Sequence, residues 1–142
     1  MNEIPLKRVP SGLIIIETVV YGANNNNSRR INLALDTGAS ITSVRSKTLS
    51  DLKYDVLNPK ESRQFFTGNG SIEMRCVELS MLQVLGHDFK NMLVGVFELP
   101  EDEYIDRLLG QDILSNLDIV INTTKNKILT RRIKTQEVII TP

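Results

Sequence analysis

A chain of 142 residues has the size of one domain, enough to bury roughly two-thirds of the surface its unfolded form exposes. Its 17 Lys and Arg residues balance 17 Asp and Glu residues, which excludes a general electrostatic attraction to nucleic acid or to an anionic membrane. Cys76 is the one cysteine, so no intramolecular disulfide can form, and a reducing, cytoplasmic location fits best.

The stretch from Met1 to Gly12 carries Pro5 and Pro10 and lacks the small-residue cleavage pattern of a secretory signal. Gly12 to Tyr21 reads as a strand. Its most apolar part, Leu13 to Val20, is broken by Glu17 and is far too short to span a membrane. Gly22 to Ser28, rich in asparagine, is a solvent-exposed turn. Ile31, Leu33 and Leu35 then alternate with Asn32 and Ala34, the period of a strand with one buried face. Thr48 to Leu52 suits one helical turn with Ser46 as its N-cap. Arg63 to Phe66 and Ile72 to Val84 form the arms of a hairpin around Gly68-Asn69-Gly70. Gly86-His87-Asp88 is a turn before the strand Phe89 to Phe97, and Pro100 to Glu103 is an acidic loop. Ile113, Leu114 and Leu117 suggest a short helix. Ile119 to Ile121 pairs with Lys127 to Leu129, and Val138 to Ile140 is a terminal apolar strand.

The first chemically informative element is Leu35-Asp36-Thr37-Gly38-Ala39-Ser40. A strand that ends in an acid holds the carboxylate half-buried and rigidly aimed. Thr37 adds a hydroxyl that donates and accepts, and Gly38 lets the backbone turn tightly and a ligand approach. A second element, Ile105 to Leu114, runs through Leu108-Leu109-Gly110 into the short helix. The two halves echo each other: a hairpin feeds an apolar strand that ends in glycine, once before Asp36 and again before Gly110.

Asp36-Thr37-Gly38-Ala39-Ser40 with the later Leu108-Leu109-Gly110 resembles the retropepsin-type aspartic proteases, the retroviral enzymes and their free-standing cellular and bacterial relatives. The resemblance runs from about Leu13 to about Leu129. It implies an all-β, closed β-barrel-type domain over residues 1–142, with its core in about 13–129 and a short helix after the second motif. It implies Asp36 as the catalytic residue, with Thr37 bonding across a dimer axis and Gly38 open to the substrate main chain. Ala39 and Ser40 would line the site, and Thr67, Gly68, Asn69 and Gly70 would form a flap over the substrate. Leu108, Leu109 and Gly110 would be the structural second motif. Only one Asp-Thr-Gly is present, and the chain is too short for the two-lobed pepsin arrangement, so a homodimer must supply the second carboxylate. Gln111 stands where the family often has a basic residue, and the chain ends differ in length from those that close retroviral dimers.

The chemistry also follows from the residues. Hydrolysis of a peptide bond by carboxylates needs one group to accept a proton from water and another to share one with the carbonyl. Two such groups close together share a proton, and no metal or cofactor is required. The expected activity is therefore an aspartic endopeptidase acting on an extended polypeptide. The alternative is a peptide-binding or dimerisation module of the same fold with weak or lost catalysis. Other reactive residues read as structural: His87 as a surface turn residue, Cys76 as a small core residue, and Asp112 as an N-cap. Ser40 lacks the base that a serine hydrolase needs.

Overall fold

The structure is a computed structural model that describes residues 2–24, 27–59, 61–67, 70–98 and 105–132. In chain order the elements are β1 (Asn2–Pro5), β2 (Lys7–Arg8), β3 (Ile14–Tyr21), β4 (Ser28–Leu35), β5 (Ser43–Arg45), α1 (Ser46–Asp51) and β6 (Glu61–Thr67). They continue with β7 (Gly70–Val84), β8 (His87–Phe97), β9 (Arg107–Leu109), α2 (Gln111–Leu114), β10 (Leu117–Asn122) and β11 (Lys127–Arg132). Among the described residues no helix is long and apolar enough to cross a membrane. The fold is all-β.

Alternating side chains explain the strands. In β3, Ile16, Thr18 and Val20 are buried while Glu17 faces solvent, the half-buried pattern that β-branched residues favour. The main sheet runs β5-β8-β7-β3-β4-β9, with β2 added to β3 and β6 added to β7. Its two end strands, β5 and β9, pack against each other. Among the described residues no hydrogen-bonded ladder joins them. The sheet therefore wraps round a core that includes Leu33, Leu49, Leu79, Leu82, Leu109 and Ile113, all fully buried. Burial of each such side chain stabilises the fold by about 1.5–3 kcal/mol.

The duplication seen in the sequence becomes an exchange between halves. Hairpin β3–β4 leads to β5 and α1, and hairpin β7–β8 leads to β9 and α2. Yet β5 pairs in parallel with β8, from Ser43↔Gly95 to Arg45↔Phe97. Strand β9 pairs in parallel with β4, from Leu33↔Arg107 to Leu35↔Leu109. Each half thus completes the sheet of the other. Asp106 secures the second crossing, because its N–H donates to the Asn32 carbonyl at 2.8 Å and its carboxylate accepts from the Asn32 N–H at 2.9 Å.

Several local expectations need correction. Strands also form ahead of Gly12, where the first strand was read: β1 pairs with β11 across Asn2↔Thr130 to Pro5↔Lys127, beside β10, in a second, three-stranded sheet. Ser46 is not a cap. The chain enters α1 directly from β5, so Arg45 takes the cap position and makes no side-chain capping bond; its guanidinium donates to the Ile105 carbonyl at 3.0 Å. The β7–β8 turn is Leu85-Gly86, both at positive φ (53° and 79°), the backbone of a tight hairpin turn. His87 is already in β8, half-buried, and its Nε2 finds no hydrogen-bond partner among the described residues. Cys76 is a buried free thiol, and burial pushes its pKa up. Pro100 to Glu103, Val138 to Ile140, Gly68 and Asn69 lie outside the described residues.

Candidate active site

Asp36 follows the last residue of β4, at the crossing with β9. Its N–H donates to the Leu109 carbonyl at 3.1 Å, so the second apolar-Gly motif holds the first. The loop then turns on itself: Gly38 N–H donates to Asp36 Oδ1 at 2.9 Å and Ala39 N–H to the Asp36 carbonyl at 3.2 Å. These bonds fix the carboxylate relative to the backbone. Asp36 and Ala39 are half-buried, while Thr37, Gly38 and Ser40 are exposed. A side chain at position 38 would bring its Cβ to 3.3 Å from Asp36 Oδ1, so glycine keeps the approach to that oxygen open.

Beneath the loop lies α2 with Gly110 at its cap. Helix α2 and its cap clamp the loop from below: Gln111 N–H donates to the Ala39 carbonyl at 2.8 Å, and its side-chain Nε2 donates to the Thr37 carbonyl at 3.0 Å. Gln111 therefore supplies a polar anchor at the position where the basic residue was expected. Gly110 itself is a wedge. A Cβ there would lie 2.5 Å and 2.6 Å from the Ile41 carbonyl carbon and oxygen and 2.9 Å from the Ala39 carbonyl oxygen. Leu108 is half-buried and Leu109 fully buried, anchoring the motif in the core.

Thr42 was not singled out by the sequence, although it organises the whole arrangement. It is fully buried. Its Oγ1 accepts from Gly110 N–H at 3.1 Å and donates to Asp112 Oδ1 at 2.8 Å. Its N–H donates to both Asp112 carboxylate oxygens at 3.0 Å, and its carbonyl accepts from Gly95 N–H at 2.9 Å. The available signal was the hydroxyl pair Thr42-Ser43 between Ile41 and Val44, since a buried hydroxyl needs partners. Asp112 is not the helix cap, because Gly110 holds that position. Its carboxylate accepts instead from Thr42 and from the Ile113 N–H at 2.9 Å. Burial raises the Asp112 pKa, and the hydrogen bonds from Thr42 and Ile113 oppose that rise.

Hairpin β6–β7 extends from Thr67↔Gly70 to Glu61↔Cys76. Strand β8 joins β7 only from Cys76 onward. Among the described residues the outer part of the hairpin is therefore a two-stranded ribbon, which is marginally stable by itself and suited to movement. Gly70 has φ +117°, a conformation that glycine adopts readily. Among the described residues no cluster of His, Cys, Asp and Glu could hold a metal ion.

The family described as "gag-polyprotein putative aspartyl protease" matches residues 23–116. That span includes Asp36, the β6–β7 hairpin and Leu108-Leu109-Gly110. Among solved structures, a retropepsin-like aspartic protease from Rickettsia conorii is similar to this chain, with a TM-score of 0.64 and 28% sequence identity. The match covers 90% of this chain and 89% of that one. No curated protein sequence matches.

Proposed function

The chain belongs to the retropepsin-like family of aspartyl proteases, and we propose that it is an aspartic endopeptidase whose two catalytic carboxylates come from two copies of Asp36 in a homodimer. The observation that carries this reading is the fixed Asp36: the β4–β9 crossing holds its N–H, the Gly38 N–H holds its Oδ1, and an exposed Thr37-Gly38 turn adjoins it. Exposure of Thr37 suits a residue that meets a partner copy. The dimer is isologous, so each Asp36 faces its own equivalent across a two-fold axis.

At about 4 Å, two charged carboxylates repel by roughly 4 kcal/mol at an effective dielectric near 20, so the pair keeps one proton between them. The charged member takes a proton from water as the water oxygen attacks the peptide carbonyl carbon. The protonated member gives its proton to the carbonyl oxygen, leaving a tetrahedral diol. Collapse of the diol breaks the C–N bond as the carboxyl that took the water proton gives it to the nitrogen and the other carboxylate takes a proton from a diol hydroxyl, which restores the shared proton. The β6–β7 ribbon, with Thr67, Gly68, Asn69 and Gly70 at its tip, closes over the peptide and excludes water. Ala39 and Ser40 line the floor of the cleft. A cytoplasmic location suits the free thiol of Cys76.

Asp36→Asn tests the reading. The change is nearly isosteric, and the amide oxygen still accepts from Gly38 N–H, so the fold is expected to survive with an unchanged melting curve. The amide cannot act as base or acid, so peptide cleavage should fall by at least about 100-fold. A purified Asp36→Asn protein that cuts at the wild-type rate would show that Asp36 is not the catalytic group.

A further inference from the structure

The loop that carries Asp36 runs, at Ser40 and Ile41, into a cleft of about 540 Å³ with a biased charge. Arg63, Lys90 and Arg132 line it, against one acidic side chain, Asp112. The carboxylate of Asp112 accepts hydrogen bonds from Thr42 and Ile113, and three cations face this one anion among the described residues. Arg63 meets Glu61 at 3.5 Å, but both side chains are more than half exposed, so solvent leaves most of that charge available. Lys90 is exposed, and Arg132 donates to the Asp88 backbone carbonyl and lies 4.4 Å over the Phe89 ring. Neither contact of Arg132 neutralises its charge. There is also room for an extended chain: β5 pairs with β8 only from Gly95 to Phe97. The stretch Phe89–Leu93 that borders the cleft therefore has β7 on one side and, among the described residues, no strand on the other.

We propose that this cleft is a substrate subsite that selects an acidic side chain, Asp or Glu, in the peptide to be cut. The proposal rests on the endopeptidase reading of Asp36. Three residues separate Asp36 from Ser40, so the two lie at most about 14 Å apart, which an extended peptide covers in about four residues. The selected acid thus lies within about four residues of the scissile bond. A two-fold dimer presents the cleft on both sides of that bond.

Wild-type protein incubated with a random dodecapeptide library, with cut sites mapped by mass spectrometry, is expected to enrich Asp and Glu at those positions about fivefold over Asn and Gln. In the Lys90→Glu and Arg63→Glu variants the enrichment should disappear or invert towards Lys and Arg. It should also shrink in 1 M salt, where screening reaches about 3 Å. Cleavage without acidic enrichment overturns the subsite and leaves the endopeptidase reading intact. If no peptide is cut, the endopeptidase reading fails, and binding decides the cleft. Fluorescein-labelled glutamate and glutamine versions of one library peptide would then be compared on Asp36→Asn protein. Equal affinity for the two overturns the subsite, and tighter binding of the glutamate version that Lys90→Glu removes sustains it.

Discussion

Gly110 has extended backbone, φ −102° and ψ −177°, that any residue can adopt, so space alone demands glycine there. A methyl group would strike the backbone of Ile41 and Ala39, and backbone cannot rotate away as a side chain does. Gly110→Ala is expected to destabilise the protein by about 3 kcal/mol and to displace the Asp36 loop, with loss of activity. Gly95→Ala is a useful control. Its Cβ would meet chiefly the sulfur end of Met74, which can move, so a smaller drop in melting temperature is expected. Equal melting curves for the two variants would contradict the wedge. Asp112 makes a second residue-scale prediction. Asp112→Ala leaves the buried Thr42 N–H without its partner and should cost about 1–3 kcal/mol by chemical denaturation. Because burial raises the Asp112 pKa above its ordinary value, the native state binds that proton more tightly than the unfolded chain. Its contribution to stability is therefore full below the unfolded pKa and is lost as pH rises through the folded one. Asp112→Asn removes that loss, so its stability relative to wild type should improve from acid towards neutral pH.

At the scale of elements, the β4–β9 and β5–β8 crossings decide where the chemistry can sit. Parallel pairs need long connections, and here each is closed by a strand from the opposite half. The Asp36 loop is thus tied to β9 and α2, far from it in sequence. The β6–β7 hairpin has the opposite character. Its outer part has no third strand among the described residues, which leaves it free to open and close. On the proposed flap reading, Gly68→Pro, a change in the segment joining β6 to β7, is expected to lower kcat several-fold through slower closure, with the pH of maximal rate unchanged. Unaltered kinetics in that variant would remove the hairpin from the mechanism.

For the whole molecule, the proposed dyad with one Asp-Thr-Gly per chain would make activity a property of the dimer. Specific activity should fall on dilution below the dimer dissociation constant, and analytical ultracentrifugation should show monomer appearing over the same range. The rate should follow a bell in pH with its maximum on the acidic side of neutrality, since the shared proton must be present once per pair. A monomer with full activity at every concentration, or a flat pH profile, would contradict the shared dyad. The β1-β11-β10 sheet bears on how copies meet. Among the described residues its three strands all come from one chain, so the N-terminal strand is already paired within that chain.

Local pattern was enough to read most of the strands, because alternation, β-branched residues and glycine turns act over a few residues. It was also enough to single out Asp36-Thr37-Gly38 and Leu108-Leu109-Gly110, and a family resemblance joined them. The sequence alone did not reveal β1, whose four residues (Asn2–Pro5) are a strand only because β11 offers them an edge. It assigned Asp112 to a helix cap from nearest neighbours, whereas folding brings Thr42, 70 residues away, against its carboxylate. Gln111 gave no hint that it would hold the Thr37 carbonyl, 74 residues distant. Such contacts depend on which half pairs with which. That choice is made by burial of the shared core, a property of the assembled sheet that no short window of sequence contains.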